Sequence, residues 1–147
     1  MMNIDNIINL WSEDVKMDST ELDNESLKIP NLHAKWLGIL TKERQKLRRL
    51  DIKKKELAKN LGDYYQCHMT EEELKDFGRE PYLGKAPIKT LLHTYVDGDT
   101  EMIELTLRVS YQQEMVDTVE EIMKAINGRQ WNIRNAIDWK KFTNATV

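Results

Sequence analysis

The chain has 147 residues, 32% of them charged and 40% hydrophobic, with a formal net charge of −3. That length allows one domain, or one domain with an assembly segment, and the composition is too apolar for full disorder yet holds no apolar run long enough to cross a bilayer. Two Phe and three Pro argue against a β sandwich, and a lone cysteine, Cys67, excludes an internal disulfide framework and fits a reducing cytosol.

The N-terminal stretch carries Asp5 and no Lys or Arg before Lys16, so it lacks a signal peptide's positive start. Ile4, Ile7, Ile8, Trp11 and Val15 recur at spacings of three and four, which predicts a short helix over 3–17. Asp18-Ser19-Thr20-Glu21 reads as the next helix start, with Asp18 capping and Glu21 reaching back. Pro30-Asn31 then breaks this helix or begins another, because the residue before proline is steered from helical angles.

The next element, roughly 31–65, is a long amphipathic helix. Leu32, Trp36, Ile39, Leu40, Leu47, Leu50, Leu57 and Leu61 fall on one face at about 100° per residue. Lys42, Lys46, Arg49 and Lys53 line one border of that face, and Arg44, Arg48, Lys55 and Lys59 the other. Gly62 and the residues after Tyr65 mark its end. Thr70-Glu71-Glu72-Glu73 is a second capping-box signature, with Gly78 as the stop of that short helix. Pro81, Gly84 and Pro87 make 79–87 a connector. Asp97-Gly98-Asp99-Thr100 is a turn and a further helix start.

From 102 the apolar positions Met102, Leu105, Val109, Val116, Val119, Met123 and Ile126, with Gln112 filling the gap, step by three and four. That is a heptad seam. A second row adjoins it: Ile103, Leu107, Tyr111, Met115 and Ile122. Alternation over 101–109 also permits a strand there; the uninterrupted heptad beyond 109 favours helix. One reading of the seam is the buried face of an intramolecular bundle, the other an oligomeric core. Few other helices are available to cover it, which favours the oligomer. Asn127-Gly128 is expected to end this helix, with a last amphipathic piece through Trp131, Ile133, Ile137, Trp139 and Phe142.

Charge is the strongest functional signal. Residues 32–59 carry ten basic against three acidic side chains, while 1–31 sum to −5 and 60–104 to −6. From Lys42 to Lys59 the basic residues are Lys42, Arg44, Lys46, Arg48, Arg49, Lys53, Lys54, Lys55 and Lys59. Their acidic company is Glu43, Asp51 and Glu56, and Asp51–Lys55 is the one well-spaced i,i+4 pair in the favoured order. Many Lys-rich helices are merely solvated faces. Uncompensated charge repels itself until something anionic binds, and a nucleic-acid backbone is the obvious polyanion. Tyr64 and Tyr65 close the helix. They either stack on exposed bases or pack at the core edge.

Catalytic patterns are missing. Cys67-His68, His33 and His93 have no zinc spacing. Glu71, Glu72 and Glu73 point in different directions on a helix, so they make no single metal site. No phosphate-cradling loop and no nucleophile motif is present. We expect no enzyme, no metal and no cofactor.

Several of these residues together resemble one family. Asp14-Val15, Asp18-Ser19-Thr20, Lys35-Trp36-Leu37, the Lys-rich helix ending in Asp63-Tyr64-Tyr65, Lys89-Thr90, the seam helix, Arg129, Ile133, Ile137 and Phe142 look like the UvsY recombination mediators of large tailed bacteriophages. The resemblance spans nearly the whole chain; it lies in order and spacing, not in one motif. It implies a non-enzymatic protein of the host cell cytoplasm that forms a ring-like homo-oligomer of about six or seven subunits. It further implies binding of single-stranded DNA and loading of a RecA-like recombinase onto DNA covered by single-strand-binding protein. In that family a basic pair before the double tyrosine is tied to DNA binding; Lys59 matches its first member and the apolar Leu61 stands at the second. Gln66-Cys67-His68 replaces a small glycine- and serine-rich stretch.

The expectation is therefore an all-α protein of long amphipathic helices with a C-terminal coiled-coil-like oligomerisation helix. Residues 1–80 form the DNA-binding part and 86–147 the assembly part. The rival reading is a coiled-coil scaffold whose basic helix docks an acidic protein.

Overall fold

The structure, a computed structural model, describes residues 2–145. Five helices and no strand occur among them: α1 (Ile4–Asp14), α2 (Leu22–Tyr65), α3 (Glu71–Phe77), α4 (Leu92–Asp97) and α5 (Thr100–Ala145). No helix of the described residues is long and apolar enough to cross a membrane. The helices form two compact units. Unit 1 takes the chain up to Gln45 and from Gln113 onward; unit 2 is Lys46–Gln112. Each unit thus combines a stretch of α2 with a stretch of α5.

In unit 1, Asn3 caps α1 reciprocally with Asn6: each side-chain oxygen accepts from the other's backbone N–H, at 2.8 and 3.0 Å. Ile7 is fully buried, and Trp11 meets Trp36 of α2 edge-on at 5.8 Å. The Asp14 carboxylate accepts from the Trp36 indole at 2.9 Å and from Lys35 at 2.6 Å. Arg129 of α5 is buried and donates to the carbonyls of Asp14 and Val15, at 2.9 and 2.6 Å. Helix C-termini leave carbonyls without amide partners and carry partial negative charge. Arg129 meets both needs at once, with its guanidinium 5.7 Å from the Trp11 ring centroid. Lys140 donates to the Ser19 carbonyl. The buried face of α5 here is Met115, Val116, Val119, Ile122, Met123, Ile126 and Ile133.

In unit 2 the core is Leu57 and Leu61 of α2, Val96 of α4, and Met102 and Leu105 of α5, with Leu50, Ala58, Tyr65, Phe77 and Leu92 packed against it. The keel predicted for α2 is the side that enters the cores, from Trp36 and Leu40 to Leu57 and Leu61. The heptad seam also closes inward. Met102, Leu105, Val116, Val119, Met123 and Ile126 are buried within the single chain, and Gln112 with them. What α5 leaves outside is part of the second row, Ile103, Leu107 and Tyr111.

Four boundaries differ from the sequence reading. Glu21, not Asp18, stands at the head of α2: its carbonyl takes the Glu25 amide at 3.0 Å, while Asp18 folds onto the amide and hydroxyl of Thr20. Pro30 neither ends nor begins a helix but lies inside α2. The amide it lacks would have served the Ser26 carbonyl; Ser26 and Pro30 are both exposed, so water can take that role. Asn127-Gly128 does not stop α5, because Ile126, Arg129 and Ile133 continue its buried face across the glycine. Helix α4 was not anticipated. The stretch 101–109 is helical, as the heptad beyond 109 favours.

Two helix ends share one closure. After α3, Arg79 N–H donates to the Leu74 carbonyl and Gly78 N–H to Lys75, with Gly78 left-handed at φ 75°. After α2, His68 N–H donates to Asp63 and Cys67 N–H to Tyr64, with Cys67 at φ 61°. A side chain in that conformation is strained and glycine is not. Cys67→Gly should therefore stabilise the fold by about 1 kcal/mol, read as a higher denaturation midpoint at unchanged slope. No gain, or a loss, would show that the Cys67 thiol contributes packing that outweighs the strain.

Candidate nucleic-acid interface

The basic run lies along one continuous helix because its opposite side is held in the cores. Lys42, Arg44, Arg48, Arg49, Lys53, Lys55 and Lys59 are exposed, and Lys46 and Lys54 are partly buried. Arg44 pairs with Glu120 at 2.8 Å within unit 1. Among the described residues, Arg48, Arg49, Lys53, Lys54, Lys55 and Lys59 close no ion pair, and the i,i+4 pair Asp51–Lys55 does not form. Five of those six lie within two turns, on unit 2. Unpaired cations so placed set up a field that favours a polyanion.

The field is weaker at the helix's C-terminal end. Lys59 lines a cleft of about 340 Å³ together with Asp63, Glu73 and Asp76. That is one ammonium among three carboxylates, next to the negative end of α2. Lys53 shares a cleft of about 430 Å³ with Glu56, Glu101, Glu104 and Arg108. Leu61 is fully buried in the unit 2 core, so a phosphate-binding side chain has no outward path from that position.

Tyr64 and Tyr65 sit inside an aromatic cluster. Their rings are 5.2 Å apart; Tyr82 lies 5.8 Å from Tyr64 and 5.0 Å from Tyr65, and Tyr95 lies 5.7 Å from Tyr65. The Arg79 guanidinium lies 5.1 Å from the Tyr64 ring centroid. Tyr64 donates its hydroxyl to the Glu80 carbonyl at 3.0 Å, and Tyr65 donates to Asp99 at 2.7 Å. Both are partly buried.

Asp99 is the residue the sequence reading saw only as part of a turn. Its carboxylate takes Arg79 in a two-point grip at 2.7 and 2.8 Å, the Tyr65 hydroxyl, and the Glu101 amide at 3.0 Å. Its carbonyl accepts the first helical hydrogen bond of α5, from the Ile103 amide. Asp99 thus caps α5 while joining the end of α2 to the chain after α3. The Arg79 hydrogen bonds hold its carboxyl down at about 2, against the opposing effect of burial. Burial first, and then the bond to Asp99, pushes the Tyr65 hydroxyl up to about 12. Arg79, bonded to Asp99 and Glu101, stays cationic. One signal was available: Arg79 stands directly after the Gly78 stop, in a stretch where cations are scarce.

A depressed carboxyl contributes stability above its unfolded pKa and loses it as pH falls through its folded one. Stability should therefore fall between about pH 4 and pH 2 by roughly 2 kcal/mol from Asp99. Asp99→Asn should remove that portion of the acid dependence and lower stability at neutral pH by a similar amount. Denaturation of parent and variant across this range measures both. Superimposable pH profiles would remove Asp99 from its central place.

Comparison with known proteins points one way. The family model described as recombination, repair and ssDNA binding protein UvsY matches residues 10–146. The recombination protein uvsY of Enterobacteria phage T4 is 25% identical over 141 residues, covering 96% of this chain and 97% of its own. Two crystal structures of the bacteriophage T4 recombination mediator protein UvsY share the fold. The lattice type II form has a TM-score of 0.84 at 22% identity, covering 98% of this chain and 99% of that one. The lattice type IV form has 0.83 at 22% identity, covering 96% and 99%.

Proposed function

Because this chain belongs to the UvsY family of recombination, repair and single-stranded-DNA-binding proteins, we propose that its exposed basic face on α2 holds the strand while a RecA-like recombinase is loaded. The family is one of recombination mediators, not enzymes. The observation that carries the assignment of the contacts is the unpaired set Arg48, Arg49, Lys53, Lys54 and Lys55 on a helix of an otherwise acidic chain. Lys42, Arg44, Lys46 and Lys59 extend it, with Lys59 the weaker contact because of its three carboxylate neighbours. The strand is one covered by single-strand-binding protein, in the host cell cytoplasm. Contacts to phosphate are individually weak and sequence-blind, so a mediator built on them can hold any strand and release it stepwise.

In this reading residues 1–80 supply the DNA contacts and 86–147 the assembly, a homo-oligomer of about six or seven subunits. The seam residues Met102, Leu105, Val109, Val116, Val119, Met123 and Ile126 act in assembly from beneath. They fix the rotation of α5 and so turn Ile103, Leu107 and Tyr111 outward. A ring repeats one modest basic patch along one strand, and the later contacts become intramolecular. Tyr64 and Tyr65 serve first as the anchor of α2's end. Base stacking on either ring is tested by Tyr→Phe beside Tyr→Ala in DNA binding, since Phe keeps the π face.

Affinity for an oligonucleotide should fall with salt at a slope of about −0.7 per phosphate neutralised. Arg48→Ala with Arg49→Ala, or Lys54→Ala with Lys55→Ala, should flatten that slope, and Lys59→Ala should weaken binding less than either pair. Filter binding across a salt series reads all of these. Affinity indifferent to salt would return the basic helix to the acidic-protein reading.

Assembly gives a separate expectation. Leu107 is 65% exposed, so Leu107→Asp should leave the subunit folded while it sediments as a smaller species. It should lose affinity for long strands and keep it for oligonucleotides spanning one subunit. A Leu107→Asp protein that keeps the parent's sedimentation would move the assembly surface elsewhere.

A further inference from the structure

From Pro81 to Val96 the chain has no acidic residue, although the surrounding segment 60–104 is strongly acidic. Lys85 and Lys89 are exposed there and close no ion pair among the described residues. Beside them three aliphatic side chains stand in solvent: Leu83 is 95% exposed, Ile88 66% and Leu91 51%. Single exposed leucines are ordinary; three within nine residues of one connector are a patch.

The backbone beneath this patch is fixed. Tyr64 donates to the Glu80 carbonyl, and the Cys67 thiol approaches the Tyr82 carbonyl at 3.9 Å. The Tyr82 side chain lies so close over Gly84 that a Cβ there would collide with its hydroxyl oxygen. Leu91 N–H donates to Ile88 at 2.9 Å. Pro81 and Pro87 restrict φ at two further points. Aliphatic groups held outward on a pinned backbone bind with little ordering cost.

We propose that the 81–91 connector is a docking surface for an acidic peptide segment of a partner protein, one whose apolar residues cover Leu83, Ile88 and Leu91 while its carboxylates meet Lys85 and Lys89. Aliphatic side chains offer bases no π face, so a protein fits this patch better than single-stranded DNA. The lack of any carboxylate over 81–96 makes the patch complementary to an acidic partner, not a basic one. The proposal is independent of the DNA contacts on α2.

The probe is a fluorescein-labelled synthetic peptide of Asp, Glu, Leu and Phe, titrated by anisotropy against the full chain. Its control replaces every Asp and Glu by Asn and Gln. The acidic peptide should bind, and the control at least about tenfold more weakly. Leu83→Ser with Ile88→Ser changes no charge and should weaken the acidic peptide at least about tenfold; Lys85→Glu with Lys89→Glu should do the same. Lys54→Ala with Lys55→Ala should leave it within about twofold. Thermal melts of the connector variants should match the parent, because these side chains lie outside the core. The proposal is overturned if the parent does not bind the acidic peptide, or if the serine variant binds it as tightly as the parent. It is equally overturned if the α2 variant loses the peptide, if the connector variants lose single-stranded DNA in parallel, or if the serine variant changes sedimentation.

Discussion

The Asp99 carboxylate is the joint on which unit 2 depends. Four donors converge on it, from Tyr65, from both terminal nitrogens of Arg79 and from the Glu101 amide. A buried carboxylate is costly unless paired and fully hydrogen-bonded, and this one meets both conditions. These donors come from three places in the chain: the last turn of α2, the residue after the α3 stop, and the first turn of α5. Satisfying one charge therefore fixes three chain segments at once. The tyrosine cluster packs around that joint, and the connector is pinned to it through Tyr64 and Tyr82.

The same joint shapes the electrostatics of the basic helix. With Tyr65 tied to Asp99, α2 ends where α3 begins nearby, and the carboxylates of α3 line the cleft of Lys59. Before that point Arg48, Arg49, Lys53, Lys54 and Lys55 close no ion pair among the described residues. The positive face is thus bounded on one side by structure, not by the sequence run, which continues to Lys59. Unit 1 reaches an equivalent economy with a cation. Arg129 is buried against carbonyls at the end of α1 and against Trp11, so it is unavailable to an external anion although it is an arginine.

Much of the candidate site was legible because it follows helical periodicity. Trp36, Leu40, Leu57 and Leu61 share a face at 100° per residue, and burying them forces Arg48, Arg49 and Lys55 outward whatever they pack against. The capping box at Thr70 and the stop at Gly78 are local as well, and both stand as expected. The reading failed where local preference met tertiary packing. Pro30 and Gly128 are poor helix residues, yet buried neighbours on both sides carry α2 and α5 through them. No local signal reveals the roles of Tyr64 and Tyr65, since their partners Tyr82, Tyr95 and Asp99 lie 17 to 34 positions along the chain.

By itself the sequence determined the helical class, the direction of the α2 keel and the placement of a positive face opposite it, because each depends on spacing within one helix. Tertiary structure alone decided which cations stay unpaired, which is a matter of distance between segments: Arg44 finds Glu120, Arg79 finds Asp99, and Arg48 and Arg49 find no carboxylate among the described residues. It also decided that the heptad seam is covered inside the subunit. A heptad records that one face of a helix is apolar, but it does not record whether the covering helix belongs to the same chain.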